Sequence, residues 1–216
     1  MLSGEAVAQK RAHLKTYFTE TWELYESLFS LINEDSAYYQ RPEPLRHPLI
    51  FYYGHTAVFY VNKFMLGKYI KNRINPGLES ICAVGVDEMS WDDLKPDNYQ
   101  WPDVAQVREY RDQVKTLILQ MIDEMPLTLP IQKDSLAWIV LMGIEHERIH
   151  IETSSVIMRM MELQYLDKNA NWQSCKDTSD APQNTLLSVE GTELTLGKSS
   201  SNDTYGWDNE YGSHTV

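Results

Sequence analysis

No proline interrupts the chain from Leu136 to Arg159, and the apolar run from Leu136 to Met142 leads directly into Gly143-Ile144-Glu145-His146-Glu147-Arg148-Ile149-His150-Ile151-Glu152. The simplest conformation for such a stretch is one continuous helix. A four-residue step turns an α-helix by about 400°, so His146 and His150 stand one above the other, roughly 6 Å apart. Met142, Ile149, Thr153 and Ile157 continue the same face, and this mostly apolar setting predicts that the pair points into the protein. Buried imidazoles need partners. A divalent cation gripped by both rings is one kind, and ordinary hydrogen-bonding neighbours in a structural helix are the other. Glu152 is rotated by roughly 140° from the midpoint of the pair, too far for direct ligation, and reads as a structural or supporting carboxylate.

A chain of 216 residues holds one well-buried domain and part of a second. Its formal charge of −12 argues against nucleic acid, whose phosphates demand a basic surface. Cys82 and Cys175 are too few for a disulfide framework and too isolated for a thiolate zinc site, which fits a reducing compartment. The N-terminus lacks a basic region followed by an apolar core, and no stretch approaches the roughly 18 apolar residues of a membrane span. The expectation is a cytoplasmic protein with no membrane and no nucleic-acid partner.

In chain order, residues from about Glu5 to Asn33 carry apolar positions at helical rhythm, among them Leu14, Phe18, Trp22, Tyr25, Leu28 and Ile32, and predict a first helix. The segment from Glu34 to His47, with Pro42 and Pro44, predicts a loop. Pro48 suits the first position of a second, very apolar helix running to about Ile70. His55 sits inside that helix, flanked by Phe51, Tyr52, Val58 and Phe59. It is the candidate third ligand, because metal sites in bundles are built from facing helices. His47 competes from about two turns away at the helix mouth, and a satisfied core histidine is the plainer role for either.

From Lys71 to Pro102 the pattern breaks up, with turns at Asn75-Pro76-Gly77 and Lys95-Pro96-Asp97 around the acidic, aromatic segment Asp87 to Leu94. A third helix is predicted over about Asp103 to Met125, ended by Pro126 and Pro130, and the fourth, capped by Asp134 or Ser135, carries the histidine pair. The result is a mainly α chain, a four-helix bundle over residues 5–166 with one long crossover. A polar linker follows over 167–184. Leu186 to Gly197 then alternates like paired strands around the glycine turn at Gly191, and the tail to Val216 is rich in turn residues and aromatics. So small a strand pair cannot bury itself alone, so residues 185–216 read as the opening of a larger domain.

Four separated blocks carry a resemblance: Arg46 to His55, Gly85 to Asp93, Glu145 to Glu152 and Tyr205 to Glu210. Together, in this order, they resemble the N-terminal part of the ovothiol-pathway sulfoxide synthases, iron enzymes related to the ergothioneine-pathway sulfoxide synthases. The resemblance runs from the first helix to the last residue. It implies a DinB-like four-helix bundle followed by the incomplete start of an α+β domain like the formylglycine-generating enzymes, with a methyltransferase often beyond. It further implies a mononuclear non-haem Fe(II) held by His55, His146 and His150, with cysteine, histidine and O2 as substrates and a histidylcysteine sulfoxide as product. Three neutral imidazoles would leave the ion its double charge and open positions on one face. In the family much of the substrate pocket lies in the second domain, so the resemblance names no catalytic residue here and implies low activity for this chain alone.

Other readings compete. His146-Glu147-Arg148-Ile149-His150 also satisfies the H-E-x-x-H pattern of zinc peptidases, in which the glutamate activates a water. The extended form of that motif wants glycine at Thr153 and histidine at Val156. A DinB-like metal-dependent thiol transferase, a metal-binding bundle without redox chemistry, and a purely structural bundle complete the set.

Overall fold

Four long helices form the body: α1 (Val7–Phe29), α2 (Leu49–Leu66), α4 (Val104–Glu124) and α5 (Leu136–Met158), with a short α3 (Pro76–Ile81) after α2. The computed structural model describes residues 2–4, 6–83, 99–173 and 176–216. The expected acidic segment Asp87 to Leu94, the turn at Lys95 to Asp97, the Gly85 to Asp93 block of the resemblance and Cys175 lie outside the described residues. α1 and α2 face each other diagonally, and each packs against both α4 and α5. Between them lies a core rich in aromatic side chains, with Phe18, Trp22, Tyr25, Phe51, Tyr60 and Phe64 all buried. Each buried ring of this size contributes roughly 1.5–3 kcal/mol of apolar transfer.

Several boundaries differ from the sequence expectation, each for a local reason. α1 stops at Phe29 rather than Asn33 because Ile32 leaves the helix for an antiparallel bridge with Leu166, while Asn33 N–H donates to the Tyr165 carbonyl. Pro48 is the residue before α2 rather than its first member, and α2 ends at Leu66, where Gly67 and a left-handed Lys68 turn the chain well before Ile70. Asn75-Pro76-Gly77 starts a helix instead of closing a turn. The Asn75 side chain accepts from Leu78 N–H, Glu79 accepts from the Ile74 and Asn75 amides, and Pro76 occupies a first-turn position whose amide needs no partner. Asp103 and Gln106 close a reciprocal cap on α4, and Ser135 rather than Asp134 caps α5.

Past α5 the chain stays on the bundle as far as Trp172, whose indole donates to Ser27 of α1. The paired strands expected on either side of Gly191 are not formed. Leu186, Leu187 and Val189 are exposed and meet nothing that would bury them. Instead β1 (Thr195–Leu196) pairs antiparallel with β2 (His214–Thr215). Gly197 sits at φ 105°, and a Cβ there would lie 1.6 Å from the Gly212 carbonyl oxygen, so only glycine permits this approach. The segment docks on the start of α5 through Tyr205, whose ring centroid is 4.9 Å from that of Trp138, and on the N-terminal residues, where Leu2 N–H donates to the Asp203 carbonyl.

Candidate metal centre

α2 and α5 run side by side and present His55 from one and His146 and His150 from the other. One nitrogen of each ring lies within 4.8 Å of the others, and these are the residues that the described part of the chain brings together in a cluster that could hold a metal ion. Ring centroids are 5.0 Å apart for His55 and His146, 4.9 Å for His55 and His150, and 4.4 Å for His146 and His150. The Nε2 atoms of His146 and His150 face each other at 3.1 Å. Two nitrogens bound at about 2.1 Å to one ion lie about 3.0 Å apart at a right angle and about 3.4 Å apart at a tetrahedral one. The observed separation therefore suits neighbouring ligands of a single cation.

Protonation agrees with that geometry. Burial, then the neighbouring His150 and His55 and Lys63, hold His146 well below the ordinary imidazole range. Burial, then His55 and Arg46, bring His150 down to about 3. Both are neutral at pH 7, the form that ligates. His55 places Nδ1 2.7 Å from the Cys82 carbonyl oxygen. A carbonyl only accepts, so Nδ1 carries the proton and Nε2 keeps its lone pair for an ion. Nδ1 of His146 and Nδ1 of His150 are buried without a hydrogen-bond partner among the described residues. Phe59 stacks on His146 at 3.8 Å and Phe51 on His55 at 4.9 Å, fixing the ring planes.

The expected interior placement holds for His150, which is buried, whereas His55 and His146 are half-buried and Ile149 is 49% exposed, so the cluster lies in the seam between α2 and α5. The apolar face of α5 is split: Ile157 turns inward, Ile149 outward. A cleft of about 540 Å³ lined by Glu43, Arg46, Glu152, Thr153 and Met160 opens one turn beyond His150. His47 is buried against Phe51, Tyr99 and Trp101 and stands outside the cluster. Glu152 is exposed. Glu147, which the peptidase reading would make the water-activating residue, is fully buried, and its Oε1 accepts hydrogen bonds from Arg111 and Thr56 in the bundle centre. Burial raises its carboxyl to about 7 against the opposing pull of Arg111.

The sequence profile of the DinB superfamily matches residues 17–154. The chain belongs to the DinB superfamily. The DinB match begins in α1 and ends one turn past His150, so all three histidines fall within it. The DinB chain is also similar to ergothioneine biosynthesis protein 1 of Schizosaccharomyces pombe, at 28% identity over 137 residues. That alignment covers 59% of this chain and 17% of the yeast protein's length.

Two groups around the centre escaped the sequence reading. The Cys82 carbonyl could not be found, since a main-chain acceptor has no residue signature. Arg111 could: it stands with Val107, Val114 and Ile118 at core spacing on α4, and a lone charge in an apolar stripe announces a buried partner.

Proposed function

We propose that this DinB domain is the metal-binding part of a mononuclear non-haem Fe(II), O2-dependent sulfoxide synthase that joins the sulfur of cysteine to the imidazole carbon of histidine, as in ovothiol biosynthesis. The observation that carries the proposal is the convergence of three imidazoles from two helices, with Nε2 of His146 and His150 at 3.1 Å. The similarity to an ergothioneine biosynthesis protein and the four sequence blocks supply the reaction class. The overall reaction balances as one thiol, one imidazole C–H and one O2 giving a sulfoxide and one water. O2 accepts four electrons, one of its oxygens going to sulfur and the other leaving as water.

His55, His146 and His150 would hold the ion, and Fe(II) bound there would supply the redox centre that O2 requires. The chain's own part is placement. The Cys82 carbonyl holds His55 in the ligating tautomer, Phe51 and Phe59 lock two ring planes, and burial keeps His146 and His150 unprotonated. The domain like the formylglycine-generating enzymes that we propose follows the linker would complete the pocket, and slow turnover by this chain alone is part of the proposal. Glu147, turned toward Arg111, gives the zinc-peptidase reading no water-activating carboxylate.

The test is anaerobic titration with Fe(II), followed by cysteine or serine. The proposal predicts one iron per chain and an absorption change on adding cysteine that serine does not produce. A loaded chain indifferent to the thiol contradicts it.

A further inference from the structure

One guanidinium at the centre of the bundle bonds all three of the other long helices. Arg111 of α4 is 1% exposed. Its Nε donates to Glu26 Oε1 of α1 at 2.6 Å. Its Nη1 donates to the Tyr53 carbonyl and to Thr56 Oγ1 of α2 at 2.9 and 2.8 Å, and its Nη2 to Glu147 Oε1 of α5 at 3.1 Å. The Trp22, Tyr25 and Tyr53 rings enclose it at 4.2, 5.0 and 5.0 Å. Thr56 also reaches Glu147 at 3.4 Å, so the two helices that carry the histidines meet on one carboxylate oxygen beneath this cation.

The two side chains gripped there are the immediate sequence neighbours of ligands: Thr56 follows His55, and Glu147 follows His146. Successive residues on a helix differ by about 100° in direction. Holding residues 56 and 147 toward the bundle axis therefore fixes the direction in which 55 and 146 point, outward into the seam. We infer that Arg111 is a positioning residue for the metal centre, setting the rotation of α2 against α5 at which the three imidazoles converge. This rests on the metal reading above and goes beyond it by naming what holds the ligand helices in register.

Side-chain atoms lie roughly 6 Å from a helix axis, so a rotation of about 10° displaces an imidazole nitrogen by about 1 Å. Metal–ligand distances tolerate only about 0.2 Å. A planar five-donor group can satisfy acceptors on three helices at once, whereas lysine's point charge serves fewer in fixed directions. Retaining the charge is thus not enough; the fork is what sets the register.

The experiment compares wild type, Arg111→Lys, Arg111→Met and Ile118→Ala, a core truncation on α4 two turns beyond Arg111. Each is melted metal-free, then titrated anaerobically with Fe(II), and with Co(II) read by its visible bands, well below its own melting temperature. The expected result is affinity weakened about tenfold or more in Arg111→Lys, as for outer partners of metal ligands, with altered Co(II) bands. Ile118→Ala melts lower but binds like wild type. Wild-type affinity and bands in Arg111→Lys overturn the inference, as does affinity that simply follows the melting temperature across all variants. If Arg111→Met does not fold, Arg111→Lys carries the comparison. A wild type that binds neither ion removes the metal reading itself, a different failure from wild-type binding that Arg111→Lys leaves untouched.

Discussion

Replacing Gly143 with alanine forces apart the two helices that carry the histidines. A Cβ at this position would lie 2.0, 2.4 and 2.5 Å from three carbons of the Tyr60 ring, where ordinary carbon contacts are about 3.5–4.0 Å. Tyr60 cannot retreat: it is fully buried, with Phe18, Trp22 and Phe64 at 5.9, 6.5 and 6.2 Å. α5 must then move away from α2 by an ångström or so. Overpacking costs about 1–3 kcal/mol, and the depth of this overlap puts it at the upper end. Alanine recovers about 1 kcal/mol as the better helix former, leaving a net loss of about 2 kcal/mol. In a chain of this size that lowers the melting midpoint by about 4–8 °C. Because Gly143 is one turn before His146, the same displacement separates His55 from the pair on α5. Thermal melting of the metal-free chain and Fe(II) titration read the two effects. A variant that melts at or above wild type and binds iron as tightly refutes the reasoning.

Gly54→Ala tests the support under His55: its Cβ would come within 2.6 Å of Cys82 Sγ, moving the carbonyl that fixes the His55 tautomer, and Fe(II) affinity drops about 10–100-fold; unchanged affinity counts against that role. In the metal-free chain, His150 has a folded pKa of about 3 against about 6.5 unfolded. Between those values the unfolded chain takes up a proton that the folded chain refuses, so this stability is full above pH about 6.5 and is lost as pH falls toward 3. His150→Phe removes the effect, so urea melts in EDTA show the variant gaining on wild type as pH drops through this window; a pH-independent difference contradicts the assignment.

The long helices were legible because their apolar residues recur at helical spacing and their ends carry strong signals, such as the Asp103 and Ser135 caps. The meeting of His55 with His146 and His150 was legible only as a consequence of bundle architecture, which makes residues that face the seam between adjacent helices neighbours. Depth was not legible, because periodicity shows which residues share a face but not how far a seam lies from solvent; Ile149 and Ile157 look alike in sequence and face opposite ways. α3 was hidden by its Asn-Pro-Gly start, in which the same residues that make a turn also cap a helix. The β1–β2 pair was missed because its partners are far apart in the chain, while the locally alternating residues near Gly191 have nothing to pack against.

The central claim is that α2 and α5 together bind one ion through three imidazoles. Its most direct test is equilibrium Fe(II) binding under anaerobic conditions by wild type and by His55→Ala, the variant that removes the contribution of α2 while leaving the pair on α5 intact. The account predicts one Fe(II) per wild-type chain and loss of that binding in His55→Ala, with the helical content of the variant retained. Equal binding by the two proteins would contradict it.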